Sequence, residues 1–166
     1  MHTKWAFSLR YVDTELERPR WRTTASARVL PTLQVGIEFN PVVAEVGPIA
    51  TWFLMAEKER TPAVFLGTSS DRIGSPEGTQ AYYATAAKNL DPVPASVYAS
   101  LNYSEWDAGW NVPFGANVEV RPGWTIQPMY DGERTHLLGT YSGERFSVTL
   151  IYAWLESAGI AASVGF

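Results

Sequence analysis

The chain alternates. In KWAFSLRY, residues 4–11, the odd positions are Trp5, Phe7, Leu9 and Tyr11, and the even positions are Lys4, Ala6, Ser8 and Arg10. A period of two sends successive side chains to opposite faces and predicts a strand. The same period returns in residues 20–29, where Trp21, Thr23, Ala25, Ala27 and Val29 oppose Arg20, Arg22, Thr24, Ser26 and Arg28. Leu33, Val35, Ile37 and Phe39 then oppose Gln34, Gly36, Glu38 and Asn40. Residues 49–70 are apolar on both faces, so the pattern does not choose their register. In residues 80–88, Ala81, Tyr83, Thr85 and Ala87 form the more apolar face, and Gln80, Tyr82, Ala84, Ala86 and Lys88 the other. Clean alternation continues through Val97, Leu101 and Tyr103, through Trp124, Ile126 and Tyr130, and through Phe146, Val148, Leu150, Tyr152 and Trp154. Val118 and Val120 oppose Asn117, Glu119 and Arg121. Residues 41–48, 70–78 and 104–115 read as loops, and RPG and DG dipeptide contexts read as turns.

About twelve such segments follow one another, with no helical period over a useful length. The pattern predicts an all-β chain, one domain over residues 1–166, folded as a closed antiparallel up-and-down barrel of about twelve strands. In the clean segments no charge falls on the apolar face. The opposite face collects Lys4, Arg10, Arg20, Arg22, Arg28, Glu38, Lys88, Glu119 and Arg121. If the first strand runs outward, Trp5, Trp124, Tyr141, Phe146 and Phe166 fall at one rim. Tyr11, Trp21, Phe39, Tyr103, Tyr130, Tyr152 and Trp154 fall at the other. Trp and Tyr have one apolar and one polar end, so two such belts suit the two interfaces of a bilayer. A twelve-strand barrel is also too wide to be filled by Ala, Thr, Val and Gly, because diameter grows with strand number. Both arguments turn the apolar face outward, toward membrane lipid.

Composition narrows the reading further. Of the 166 residues, 46% are apolar and only 18% charged, with seven Trp, eight Tyr and no Cys. A net charge of -4 without a basic run argues against a nucleic-acid partner. No cysteine means no disulfide framework and no thiolate metal site. No run of about 18 apolar residues could cross a bilayer as a helix, and no signal peptide is visible at Met1. No metal spacing, phosphate loop or dinucleotide fingerprint occurs, and no cofactor is expected.

The terminal SAGIAASVGF carries a resemblance. Phe166 is last, with Val164, Ala162 and Ile160 at alternating positions before it. This resembles the final strand of bacterial outer-membrane β-barrel proteins. The resemblance implies an outer-membrane location and recognition of the last strand by the barrel-assembly machinery.

The inward face suggests what such a barrel does. Lys4, Arg10, Arg20, Arg22 and Arg28 make a basic wall, and Glu38, Glu57 and Glu119 are the acids expected to face it. Such a transverse field biases ion passage, so the expected function is a small porin-like channel for small polar or anionic solutes. Tyr82 and Tyr98, with Phe53 and Phe65, form a second inward group that either stacks a ligand or fills space. The alternatives are a plugged scaffold barrel that binds a partner, an outer-membrane enzyme, and a soluble ligand-binding barrel. Trp106, Trp110 and Phe114 of the longest loop either mark that partner surface, or fold over the barrel mouth or extend the aromatic belt. The enzyme reading is the weakest. It has His2 and His136 alone, and simple hairpin registers place His136 near Met129 and Ile151 with no serine or acid beside it. The chain is therefore expected not to be an enzyme.

Overall fold

The computed structural model describes residues 4–15 and 20–166. His2 lies outside the described residues. Every named element is a strand: β1 (Trp5–Val12), β2 (Trp21–Leu30), β3 (Leu33–Asn40), β4 (Glu45–Met55), β5 (Ala63–Ser70), β6 (Gln80–Asn89), β7 (Ala95–Ser104), β8 (Gly109–Asn111), β9 (Phe114–Arg121), β10 (Trp124–Tyr130), β11 (Thr135–Ser142), β12 (Phe146–Ala153) and β13 (Ser157–Gly165). All pairings are antiparallel, and β1 closes on β13 with Leu9 opposite Ala162. The sheet thus returns on itself, with no free edge among the described strands.

Thirteen strands make twelve staves. β8 pairs with one end of β7, Asn102 to Ser104, and β9 pairs with the other, Ala95 to Ala99. Pro113 separates the two pieces. It has no N–H to give the ladder, so a strand breaks there and resumes. The expected loop 104–115 therefore contains a strand segment, a correction to the sequence reading. The RPG turn forms as expected, with Gly123 at φ +79° where an L side chain would be strained.

The barrel is inverted in polarity. The only buried hydrophobic residues among those described are Val12, Ala81, Ile151 and Ala153. Trp5, Phe7, Leu9, Ile37, Trp52, Leu101, Trp124, Leu150 and Ile160 all stand exposed on the outer wall. Inward positions pair small hydroxyls across neighbouring strands: Ser8 with Thr24 at 2.5 Å, Thr85 with Ser100 at 2.6 Å, Thr140 with Thr149 at 2.9 Å and Ser147 with Ser163 at 2.7 Å. Each hydroxyl both donates and accepts, so these pairs satisfy one another without a charge.

The register of 49–70 resolves from the ladder. Trp52 sits opposite Leu66 on the outer wall, and Phe53 opposite Phe65 inside, ring centroids 5.9 Å apart. A bulge after Phe53 then swings Met55 outward. In β6 the expected faces are reversed. Ala81, Tyr83 and Thr85 face inward and Tyr82 stands outside. Gly67 on β5 explains the reversal: it sits directly opposite Tyr83 and leaves room for the ring, which a Cβ there would strike.

The two aromatic rims form with four changes. At the rim of short turns, Trp124 packs on Tyr141 at 5.0 Å and Tyr141 on Phe146 at 5.9 Å, with Trp5 and Phe166 at the same end. At the rim of long loops, Tyr11 packs on Trp21 at 4.8 Å, and Phe39, Tyr103, Tyr130 and Tyr152 lie at the same level. Trp110 joins that rim against Tyr103 at 5.4 Å and Phe114 joins it against Tyr130 at 5.3 Å, in line with the expectation that the loop aromatics extend the belt, and Trp52 joins the opposite rim, where sequence reading did not place it. Trp154 leaves the belt. It occupies a turn at φ +54° and packs inward beside His136, because alternation ends where the strand does.

Candidate functional site

The interior holds two neighbouring regions walled by different chemistry. The first is a cavity of about 380 Å³ bordered by Ser8, Arg10, Arg22, His136, Thr149 and Ile151. Its basic side comes from β1 and β2. Arg10 and Arg22 are directly opposed in the ladder, an unfavourable pairing of like charges. Glu38 relieves it: its carboxylate accepts from Arg22 Nη2 at 2.5 Å. Toward the short-turn rim, the Arg28 guanidinium lies 5.5 Å over the Phe53 ring, and Lys4 is exposed at the rim itself.

The second region is a cavity of about 490 Å³ on the β5–β7, β9 and β10 side. Its wall is neutral between its two ends: Tyr83, Thr85, Tyr98, Ser100, Asn117 and Gln127. Tyr83 lies over Gly67. Tyr98 lies over Gly115, where a Cβ would come within 2.7 Å of its hydroxyl. Each ring is pressed against the barrel wall with its other side lining the cavity.

A loop closes the long-loop mouth. Residues 71–79 turn into the barrel, and Asp71, Arg72 and Asp131 border both cavities. Asp71 accepts from Ser104 Oγ at 2.6 Å and from the Trp106 backbone N–H at 3.2 Å. Arg72 is the centre of the closure. Its Nη1 and Nη2 donate to Asp107 at 2.6 and 2.9 Å, and its Nε donates to Glu133 at 2.9 Å. Its guanidinium also lies 4.3 Å over the Trp106 ring. Ile73 packs behind it on the small core of Val12, Ile151 and Ala153. Sequence reading took this segment for an ordinary polar loop. The signal that could have flagged it is the lone apolar Ile73 directly after the Asp–Arg pair.

The hydrogen bonds to Asp107 and Glu133 hold the Arg72 guanidinium above its ordinary pKa, and the same bond from Arg72 draws Asp107 below the usual carboxylate range. Asp131 is pulled two ways. Burial pushes its carboxyl up, but the His136 hydrogen bond and the Arg134 and Glu133 backbone N–H groups prevail and hold it low. A depressed folded-state pKa contributes stability that is present above the unfolded value, about 3.9, and lost as pH falls through the folded one. The melting temperature of the folded barrel in detergent, followed by circular dichroism, is therefore expected to drop as pH falls below about 4. Asp131→Asn should flatten that acid limb. An unchanged limb in the variant would remove Asp131 from the account.

His136 is clamped. Its Nε2 lies 2.6 Å from Asp131 Oδ2, and its Nδ1 accepts from the Trp154 backbone N–H at 3.0 Å. The second contact assigns the proton to Nε2. An acid does stand beside His136, contrary to the register argument, because Asp131 folds back from the β10–β11 turn. Both ring nitrogens are committed to these partners, and no hydroxyl among the described residues bonds to either. Glu105 and Asp107 are likewise engaged, Glu105 with the Gln80 N–H and the Tyr82 hydroxyl. Among the described residues no cluster of three or more His, Cys or carboxylate groups forms a metal site.

The expected lumen residues divide. Arg10, Arg22, Arg28, Glu38 and Tyr98 line the interior. Tyr82 does not; it faces outward, and Tyr83 takes the inward place. Arg20 does not either, since it bonds the Thr14 carbonyl at 2.7 and 3.0 Å within the β1–β2 loop. A register shift sets Arg121 opposite Trp124 at the short-turn rim, outside the lumen, while Glu119, opposite Thr125, keeps the inward parity at the exposed mouth. Glu57 does not face the basic wall. It accepts from Lys88 at 2.9 Å at the same rim. Of the loop aromatics, Trp106 covers the mouth, while Trp110 and Phe114 extend the belt.

Fold and interior together define a closed twelve-stave antiparallel barrel with a polar lumen. No protein-family model matches the chain, and a search of curated proteins finds no significant relative.

Proposed function

We propose that this chain spans a bacterial outer membrane and forms a small channel for small polar or anionic solutes. The observation that carries the reading is the inverted wall: a continuous band of exposed apolar and aromatic side chains outside, hydroxyls, amides and arginines inside. In water such a band is an aggregation surface far larger than the patches soluble monomers tolerate. In a bilayer it is the lipid contact, and a closed barrel leaves no backbone group unsatisfied there. Inside the strands, Arg10, Arg22 and Arg28 outnumber the inward acids Glu38 and Glu119, which favours anions over cations. The strap of residues 71–79 narrows the long-loop mouth and keeps the resting conductance small.

Refolding tests the first half of the proposal. The chain is expected to become β-rich and heat-modifiable on a gel only with detergent or lipid. A monodisperse β-protein in plain buffer would overturn it. Planar-bilayer recording tests the second half, and the expected result is a small conductance with chloride preferred over potassium. A second reading, a plugged barrel that presents its mouth to a partner, rests on the anchoring of Arg72. It prevails if the folded barrel conducts nothing, and still conducts nothing after the strap is released.

A further inference from the structure

The neutral half of the lumen is built for something the basic half is not. Between its two ends it carries no charge. Arg72, the cation nearest it, is committed to Asp107 and Glu133. An anion therefore has no partner here, and a wholly apolar ligand would leave the remaining hydrogen-bonding capacity of Ser100, Asn117 and Gln127 unused. What the wall offers is mixed. Thr85 and Ser100 bond each other at 2.6 Å, yet each hydroxyl retains capacity to donate or accept. Asn117 donates to Ser96 Oγ at 3.3 Å and keeps its carbonyl oxygen as an acceptor. Gln127 borders the same trough with an amide that can both donate and accept.

The rings stand at different heights. Tyr83 is opposite Asn102 in the β6–β7 ladder and Tyr98 is opposite Ala87, four residues further along. At about 3.4 Å per residue that separates them by roughly 14 Å along the strands. Each is backed by a glycine and offers the other side of its ring to the cavity. A ligand that matches this wall has aliphatic C–H faces for the two rings and hydroxyls between them. At about 490 Å³ the cavity falls within the roughly 300–1,000 Å³ of ordinary small-molecule sites.

We propose that the trough between Tyr83 and Tyr98 is a binding site for a neutral saccharide of one or two rings. The site rests on the channel reading above and names the solute class that this half of the lumen admits. A sugar ring lies flat on one tyrosine while its hydroxyls exchange hydrogen bonds with Ser100, Asn117 and Thr85.

The test is a calorimetric titration of maltose into the refolded, heat-modifiable barrel in detergent, with sodium gluconate as an anionic comparison. Saturable binding of maltose at one site is expected, with gluconate weaker. Tyr98→Ala is expected to weaken maltose binding about tenfold, the loss that corresponds to one aromatic face. Tyr98 also covers Gly115, so Asn117→Ala serves as a second variant that leaves both rings packed, and it too is expected to weaken binding. Absence of saturable binding to a barrel shown folded by its gel shift overturns the site and leaves the membrane reading standing. So does maltose binding that neither variant changes, or tighter binding of gluconate. Folding in plain buffer with maltose binding intact does the reverse: it removes the membrane reading and keeps the site.

Discussion

Leu150→Arg is expected to destabilise the lipid-embedded barrel by about 2–4 kcal/mol, the cost of an arginine on the lipid face near mid-bilayer. Leu150 lies in the middle of β12, is 64% exposed, and sits between Gly139 and Ile160 in the ladder. Crowding is not the issue, since Gly139 presents no side chain beside it. The cost is that of placing a guanidinium in hydrocarbon with no carboxylate on that face. Thr149→Arg, one residue earlier, is the matched comparison. Thr149 borders the basic cavity and bonds Thr140 at 2.9 Å. An arginine there remains hydrated, and the change costs about one hydrogen bond, roughly 1 kcal/mol. Guanidinium unfolding of both variants in lipid vesicles measures the difference. Equal destabilisation would mean that the exposed band does not face lipid.

Arg72→Ala is expected to enlarge the conductance severalfold, because one side chain ties the strap to two other loops. Arg72 is nearly buried, while Asp107 and Glu133 are about half exposed, at 45% and 55%. Hydrogen bonds to charged groups contribute about 1.5–3 kcal/mol each, but water screens partners this exposed. The expected loss of stability is therefore about 2–3 kcal/mol in total, together with the stacking on Trp106. Asp71 then loses its nearby cation at 3.9 Å while remaining buried, which further loosens the strap. Arg72→Lys should not restore the closed state, since an ammonium cannot reproduce the paired fork on Asp107. Single-channel recording of wild type, Arg72→Ala and Arg72→Lys decides the matter. Identical conductance in all three would show that residues 71–79 do not restrict the passage.

Legibility in the sequence tracked the contrast between faces. β1 through β3 and β10 through β13 carry large apolar groups on one face and polar groups on the other, so their phase was readable without a partner. β6 is different. Ala, Thr and Tyr occur on both of its faces, and hydropathy alone chose the wrong one. Gly67, on another strand, decides it by accepting the Tyr83 ring. Arg20, Arg121 and Trp154 failed for a second reason. They sit where a strand turns or bulges, and there parity no longer predicts direction.

The local alternation by itself determined that this chain is strands, that they are about twelve, and which residues of the clean strands share a face. It also determined where most of the rim aromatics stand, because a rim position depends only on distance from a strand end. Tertiary structure decided the rest. The register in which β1 meets β13, the joining of β8 and β9 into one stave, and the division of the lumen into a basic and a neutral half depend on pairings between distant strands. The strap depends on Arg72 meeting Asp107 and Glu133, and the clamp on His136 depends on the backbone of Trp154. Alternation is a property of neighbouring residues and contains no information about partners so far apart along the chain. Those contacts exist only once the sheet has closed and its register has brought the loops to one mouth.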